Sequence, residues 1–391
     1  MVQSTSTMLV SPVRLQSGLS PETSSDISPR RSSSDHDGLT NGRLPVLDAA
    51  SHAVPRVSVI IVNWNRLDDI LFGLRYLRKS GYPDLEIIIV DNGSNKRTVA
   101  RLSEIKGIRL LCLPRNEGPS HARNVGMAAA TGKYLLLLDS DAVLAKRCLA
   151  DVVTEMEADP SVAIAGFRVM NWHTRKIDQW LYAQSYATHG DRQFQTYSFS
   201  AAGALIRADA LREVGGFWEQ LFIYNEEVEL SIRLIRAGYR ILYTPQGRVF
   251  HRPCGDGRAS KASYFKNQIR NWIWIFFRHY PRPQAWWKTG VYSALYLVKG
   301  LANRHPLACL RGILEGIGGR DVAAEFADKM TPEAARLIQS LNRRRRVALW
   351  NLATTESPRR KRVARSTERA EQRVMNGQDA MDEDLVAAMG Q

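Results

Sequence analysis

Residues 133–141, with the sequence KYLLLLDSD, constrain the fold of this chain more than any other segment. The five apolar residues at 134–138 predict a strand that is buried on both faces. The strand ends at Asp139 and Asp141, whose side chains share a face on an extended backbone. Ligands of open α/β sheets bind beyond the carboxyl ends of the strands. Two carboxylates at such an end provide the hard oxygen donors that Mg²⁺ or Mn²⁺ prefers, and these ions in turn bind a diphosphate. The alternative is that the pair only ends the strand and caps a helix over residues 142–158.

Predicted strands and helices alternate along the first two thirds of the chain. The apolar runs that predict strands cover residues 57–62, 86–90, 108–113, 134–138, 162–168, 204–207, 240–244 and 248–251. The segments that predict helices cover residues 68–80, 121–130 and 208–214, with a further helix capped by Ser94 or Asn95. This alternation predicts an α/β fold with a mostly parallel sheet and helices on both faces.

Polar side chains follow successive strands of the predicted sheet. They are Asn63, Asn65, Asp91, Asn116, Asp139 and Asp141. Each residue taken singly is an ordinary turn residue, but the carboxyl ends of parallel strands lie on one edge of a sheet. The convergence therefore predicts a binding site at this edge. The sequence contains neither G-x-G-x-x-G nor G-x-x-x-x-G-K-[ST], which disfavours a Rossmann dinucleotide site and a P-loop ATPase.

The net charge of +15 is concentrated in the C-terminal third, where residues 251–373 hold 25 Lys and Arg against 9 Asp and Glu. Residues 264–280 and 286–301 mix aromatic with basic side chains and predict amphipathic helices. Such helices suit an anionic membrane surface, and the alternative is a helical cap packed on the rest of the fold. Arginine-rich clusters at 343–346 and 359–362 leave lipid or nucleic-acid contact open, although a solvated tail is the simpler explanation.

No segment predicts secretion or membrane insertion. The first residues are rich in Ser and Thr and lack an apolar core, so we expect no secretory signal. No run of about 18 uncharged apolar residues predicts a spanning helix. Widely spaced cysteines without a C-x-x-C motif predict a reducing compartment and no metal cluster. These are Cys112, Cys148, Cys254 and Cys309.

Three segments together resemble glycosyltransferase family 2, the inverting sugar transferases with the GT-A fold. They are VSVIIVNWNR at 57–66, IIIVDNGS at 87–94 and RNEGPSHARNVGMAAATGKYLLLLDSDA at 115–142. The resemblance extends to about residue 251 and implies a nucleoside-diphosphate-sugar donor. It implies that Asp91 reads the base or ribose and that Arg123 and Asn124 line the nucleotide pocket. It also implies that Asp139, Ser140 and Asp141 form the metal-binding D-x-D motif.

The resemblance further implies a general base and a third metal ligand. A hydroxyl that attacks an anomeric carbon must lose a proton, and the family uses the Asp of an E-D pair for this. Glu227 stands at that position, one methylene longer than the usual Asp, and the alternative is an acidic first helical turn. The segment YTPQGRVFH resembles the closing strand whose His binds the metal, here His251. The pair Arg270-Asn271 resembles a family pair near the donor diphosphate.

We therefore expect four segments along the chain. They are a disordered tail at 1–54, a GT-A catalytic domain at 55–255, a basic and aromatic helical appendix at 256–350, and a disordered tail at 351–391. An aromatic face around Trp172, Trp180, Tyr182 and Tyr186 is expected to contact a sugar or to pack in the core.

The expected reaction moves a sugar with inversion from the donor to a hydroxyl of a glycan or lipid-linked acceptor, in cell-surface polysaccharide synthesis, as in rhamnosyltransferases. The expected location is the cytoplasm, with peripheral contact at the inner face of the membrane. The alternatives are a catalytically silent protein that binds nucleotide-sugars or nucleic acid, and a sugar transferase that acts on polyprenyl phosphate.

Overall fold

The structure is a computed structural model that describes residues 54–252 and 260–342, apart from residues 326 and 328. The predicted disorder of residues 1–53 and 351–391 lies outside the described residues. The same is true of the arginine-rich clusters at 343–346 and 359–362 and of Cys254.

A ten-stranded mixed sheet forms the centre of the fold. In chain order its strands are β1 (Val57–Asn63), β2 (Leu85–Asn92), β3 (Arg109–Leu113), β4 (Tyr134–Asp139), β5 (Ala142–Leu144), β6 (Val162–Asn171), β7 (Ile177–Gln179), β8 (Phe194–Thr196), β9 (Gly203–Arg207) and β10 (Arg240–His251). Eight of them follow the order β3-β2-β1-β4-β9-β6-β10-β5, while β7 pairs with β6 and β8 pairs with β10. The α/β prediction is confirmed, but the sheet is mixed rather than mostly parallel, because β5, β7, β8 and β9 pair antiparallel with their neighbours.

Helices cover both faces of this sheet. In chain order they are α1 (Leu67–Arg78), α2 (Lys96–Ser103), α3 (Pro119–Ala129), α4 (Cys148–Ala158), α5 (Tyr186–His189), α6 (Ala208–Val214), α7 (Glu226–Arg236), α8 (Lys261–His279), α9 (Arg282–Ala302), α10 (Pro306–Gly318), α11 (Arg320–Glu325) and α12 (Pro332–Asn342). As predicted, Asn95 caps α2, because its side chain accepts a hydrogen bond from the Thr98 amide at 2.9 Å.

The continuous apolar run of β4 is explained by two separate cores. Leu135 and Leu137 join one buried cluster, whereas Leu136 and Leu138 join another on the opposite face. Successive side chains of a strand point to opposite faces, so a strand covered on both sides needs apolar residues at every position. Ile60 and Ile61 of the neighbouring β1 divide between the clusters in the same way.

Residues 142–158 do not form the single helix of the alternative interpretation, which is wrong. Ala142–Leu144 forms β5 and pairs antiparallel with β10, so that Ala142 lies opposite His251. Only Cys148–Ala158 is helical. The two strands expected at 240–244 and 248–251 are one strand with an irregular register between Thr244 and Arg248. Pairing with distant strands thus overrides the local helical pattern.

Helices α8 and α12 both contribute buried residues to a core shared with the sheet domain. Phe265, Ile269 and Ile273 of α8 are buried in the same cluster as Leu230 and Ile232 of α7. The predicted C-terminal helical region is therefore present, and α8 shares a core with the sheet domain. Within the described residues, each helix is either too short or too polar to cross a membrane.

Candidate active site

The carboxyl ends of β1, β2 and β4 meet at one edge of the sheet. β1 lies between the other two strands, both parallel to it, with Asn63 opposite Asp91 and Val62 opposite Asp139. The chain then turns at Ser140, which is half-buried between the two aspartates. The predicted convergence of polar residues at this edge is thus present.

Asp139, Asp141 and His251 form a compact cluster at this edge. One donor atom from each residue lies within 4.8 Å of the other two. The pairing of β5 with β10 creates this proximity, and the Arg252 amide donates to the Asp141 carbonyl at 2.7 Å. Two carboxylate oxygens and one imidazole nitrogen are a donor set that fits Mn²⁺ or Mg²⁺.

His251 lies between two carboxylates. Its Nε2 is 3.2 Å from Asp141 Oδ1, and its Nδ1 donates to Asp178 Oδ2 at 2.8 Å. Burial alone would lower the pKa of His251, but the hydrogen bonds to Asp141 and Asp178 raise it to about 10. Burial acts to raise the pKa of Asp141, but the hydrogen bond from His251 holds it below its ordinary value.

Sequence reasoning missed Asp178. It belongs to β7, a three-residue strand paired antiparallel with β6. No motif marks this residue, and only the pairing of β7 with β6 brings it against His251. A carboxylate on the outer nitrogen of a metal-binding histidine fixes the tautomer and the ring orientation.

Arg123 connects the metal-ligand candidates to the acidic start of α7. From α3, its Nη2 donates to Asp139 Oδ1 at 3.2 Å and its Nη1 donates to Glu226 Oε1 at 3.1 Å. Burial alone would lower the pKa of Arg123, but the carboxylates of Asp139 and Glu226 raise it. Arg123 therefore carries a fixed positive charge between these two groups.

Glu226 and Glu227 open α7 and differ in exposure. Glu226 is buried, and its Oε2 has no hydrogen-bond partner within the described part of the chain. Burial raises the pKa of Glu226 to about 8, an effect that the charge of Glu227 reinforces and Arg123 opposes. Glu227 is half-buried, and burial raises its pKa as well. A carboxylate with a raised pKa is a better proton acceptor near neutral pH.

Asn63 and Asp91 are fully buried and bond to each other. Asn63 Nδ2 donates to Asp91 Oδ1 at 2.8 Å, and the Ser94 amide donates to Asp91 Oδ2 at 2.9 Å. Asn65 accepts from the Asn95 amide at 2.9 Å. These side chains therefore build the loops at the sheet edge, and their direct contact with a nucleotide stays a prediction.

Asn116 and Asn124 also hold loops together. Asn116 Oδ1 accepts from the Gly118 amide at 3.0 Å. Asn124 exchanges hydrogen bonds with the backbone of Phe217 at 2.8 and 2.9 Å and donates to Glu219 at 2.8 Å. The structure thus brings Arg123 to the carboxylates, whereas it ties Asn124, its neighbour on α3, to the 217–219 segment.

The aromatic residues over 170–191 pack against one another. Trp180 has ring contacts with Tyr182, Tyr186 and Tyr243 at centroid distances of 4.8–5.1 Å. Trp172 contacts Phe72 edge-on at 5.2 Å. These contacts favour the packing interpretation of the aromatic face over contact with a sugar.

Comparison with known proteins identifies the family. The sequence model of the family described as Glycosyl transferase family 2 matches residues 58–215. A Haemophilus influenzae protein described as an uncharacterized glycosyltransferase is 31% identical over 251 residues, which cover 62% of this chain and 93% of that protein. The chain belongs to glycosyl transferase family 2. The resemblance drawn from the motifs is confirmed.

Two further similarities extend this result. The glycosyltransferase is 32% identical over 213 residues to the pre-mycofactocin glycosyltransferase of Mycobacterium tuberculosis, and the match covers 51% of this chain and 42% of that protein. The chain thus spans less than half the length of that relative. The crystal structure of S. aureus TarS 1-349 superposes with a TM-score of 0.50 at 17% identity, covering 78% of this chain and 91% of that one. This likeness shows the fold, which is GT-A.

Proposed function

We propose that this glycosyltransferase moves a sugar from a nucleoside-diphosphate-sugar to an acceptor hydroxyl in a single displacement that inverts the anomeric centre. The observation that carries the proposal is the position of Glu227. It is a half-buried carboxylate of raised pKa at the start of α7, near Arg123 and Asp139. A single displacement needs one base and no covalent nucleophile.

Asp139, Asp141 and His251 would hold Mg²⁺ or Mn²⁺, because their donor atoms are close together and of the type that these ions bind. When bound, such a cation would neutralise negative charge on the leaving diphosphate. Arg123 adds a fixed positive charge beside Asp139, at a Nη2–Oδ1 distance of 3.2 Å. Positive charge placed in advance where negative charge develops stabilises the transition state.

Glu227 would take the proton of the acceptor hydroxyl. Burial raises the pKa of its neighbour Glu226 to about 8, and it raises the pKa of Glu227 as well. Glu227 is the more exposed member of the pair and so the one that an acceptor can reach. The side-chain bond of Arg123 goes to Glu226, whereas the Glu227 carboxylate accepts from the Ala201 backbone.

The test compares three variants of the acidic pair. Glu227→Gln should abolish donor hydrolysis and transfer while sparing donor binding, since the amide cannot accept the proton. Glu227→Asp should retain part of the activity. Glu226→Gln should retain more activity than Glu227→Gln, because the Glu226 side chain is buried and bonded to Arg123. An active Glu227→Gln variant would remove Glu227 from this role. Activity that EDTA leaves unchanged would exclude the metal-dependent mechanism.

The donor is best identified by binding. A ligand that binds the folded protein raises its apparent stability. We therefore expect one class among UDP-, GDP- and dTDP-sugars to raise the melting temperature in the presence of Mn²⁺. The same panel then serves for the hydrolysis assays, and a protein that binds but turns over none of them is a silent binder.

We further propose that helices α9 and α10 contact an anionic membrane surface, where a lipid-linked acceptor would be presented. Their exposed apolar side chains are Trp286, Trp287, Val291, Leu295, Val298, Leu301, Leu307, Leu310 and Leu314. Trp287, Val291, Leu295 and Val298 recur every three or four residues and so share one face of α9. The basic excess of this region complements lipid phosphates.

Flotation with vesicles tests this contact. The full chain should float with vesicles that contain phosphatidylglycerol and much less with pure phosphatidylcholine, and high salt should weaken the binding. Leu307→Glu should reduce flotation, because the Leu307 side chain is 78% exposed and its loss leaves the fold intact. Retention in the soluble fraction at low salt, or a dimer that buries this surface, would contradict the proposal.

A further inference from the structure

The loop before Glu227 has an unusual backbone. Phe222, Tyr224 and Asn225 all have positive φ angles, of 60°, 76° and 64°, and none is a glycine. Side chains disfavour this region of the Ramachandran map, so the conformation persists only where surrounding contacts impose it. Glu226 and Glu227 follow directly, and the backbone angles at 222–225 therefore set where their side chains project.

Asn271 of α8 contacts the backbone of this loop. Its fully buried amide nitrogen lies 2.8 Å from the Ile223 carbonyl, 2.7 Å from the Tyr224 carbonyl and 3.0 Å from the Leu221 carbonyl. The Asn271 Oδ1 accepts from Arg270 Nη2 at 2.8 Å. Because a guanidinium only donates, this bond fixes the orientation of the amide and directs its N–H groups at the loop.

The loop also has contacts from the side of the catalytic cluster. On α3, the Ser120 hydroxyl donates to the Phe222 carbonyl at 3.1 Å, and Gly118 leaves no room for a Cβ beside the Phe222 ring. The Asn225 amide side chain donates to the Gln268 carbonyl of α8 at 3.2 Å. The loop is therefore held between α3, which carries Arg123, and α8.

We propose that Asn271 is a positioning residue that holds residues 222–225 in their strained conformation and thereby aims Glu227 at the acceptor. The proposal rests on the function proposed for Glu227. It assigns the pair Arg270-Asn271 to the positioning of the general base, Glu227. The family resemblance had instead led us to expect this pair near the donor diphosphate. It also makes α8 part of the catalytic unit.

The attachment of α8 to the fold does not depend on Asn271. Phe265, Ile269 and Ile273 bury one face of α8 in the core. Further along the helix, His279 Nε2 lies 3.0 Å from Glu229 of α7. His279→Gln is therefore a matched control, since it alters a contact between α8 and α7 and leaves the Asn271 amide and its carbonyl partners in place.

The experiment uses the full chain with Asn271→Ala, Asn271→Asp and His279→Gln. In hydrogen exchange, both Asn271 variants should increase exchange at residues 222–227 at least tenfold, and His279→Gln should not. With the UDP-, GDP- and dTDP-sugar panel, the Asn271 variants should lower kcat at least tenfold and shift the pH–rate profile. Donor KM and Mn²⁺ affinity should stay within about twofold, because the Asp139, Asp141 and His251 cluster is not altered.

Three results would overturn the proposal. The first is normal exchange and normal kcat in Asn271→Ala. The second is a loss of Mn²⁺ affinity that parallels the loss of kcat. The third is failure of both Asn271 variants to fold, which would assign the residue to the fold alone.

Different results are expected if the function proposed for Glu227 is wrong. In that case Glu227→Gln would be active, or the unaltered chain would turn over none of the nucleotide-sugars in the panel. Hydrogen exchange would still show whether Asn271 holds the loop.

Discussion

Removing the carboxylate of Asp178 should weaken metal binding although Asp178 itself is not a predicted ligand. Asp178 accepts from His251 Nδ1 at 2.8 Å, which turns Nε2 toward Asp141 at 3.2 Å. Without this bond the imidazole ring can rotate and its tautomer is no longer fixed. The donor set at the sheet edge then loses its preorganised nitrogen.

The magnitude follows from the burial of this pair. Loss of such a supporting partner costs about 10–100-fold in metal affinity, or about 1.4–2.7 kcal/mol. The side chains of His251 and Asp178 are only 9% and 23% exposed, so water replaces the lost acceptor poorly. Loss of Asp178 also lowers the pKa of His251 and so eases the release of its proton to the metal, which places Asp178→Ala in the middle of this range. Asp178→Asn keeps an oxygen acceptor but loses the charge, and is expected near the lower end.

The assay is a titration with Mn²⁺ in which the free ion is measured by electron paramagnetic resonance. Asp191→Asn is the matched control, because Asp191 is 91% exposed and pairs with Arg168 rather than with the cluster. Its affinity should equal that of the unaltered chain. Binding by Asp178→Ala within about twofold of the unaltered chain would refute the reasoning. A parallel His251→Ala titration then shows whether His251 binds the metal at all.

Three other predictions concern pH and stability. Mn²⁺ affinity should rise with pH between about 6 and 8, since the metal must displace a proton from His251, whose pKa is raised by Asp141 and Asp178, and calorimetry at several pH values measures this. Glu229→Gln should destabilise the fold by about 3–5 kcal/mol in urea unfolding, because it leaves the charged partners of a fully buried carboxylate uncompensated. In the unaltered chain, the pKa of Glu229 is lowered to about 2 from 4.5, so this stabilisation is complete above pH 4.5 and is lost as pH falls toward 2. Gly93→Ala should lower the melting temperature, because a Cβ at this positive φ would overlap the Arg115 backbone. Gly81→Ala is the control and should lower the melting temperature less, because Gly81 also has a positive φ but lies in open space.

The sequence by itself determined the strands and the edge at which the polar residues gather. The apolar runs of β1, β2 and β4 predict buried strands because each must satisfy a core on both faces. A parallel sheet then places the residues after those strands together, so Asn63, Asp91 and Asp139 could be assigned to one edge from spacing alone. The roles of His251 and Glu227 came from the family resemblance.

Only the tertiary structure decided how that edge is completed. Residues 142–144 have the local pattern of a helix, yet they pair with β10 and bring His251 beside Asp141. Asp178 and Asn271 form hydrogen bonds to partners more than 40 residues away, at separations of 73 for Asp178–His251 and 48 for Asn271–Ile223. The physical reason is that periodicity reports which face of an element is buried, whereas a hydrogen bond between distant side chains depends on strand register and helix packing. Those are set by the whole chain at once.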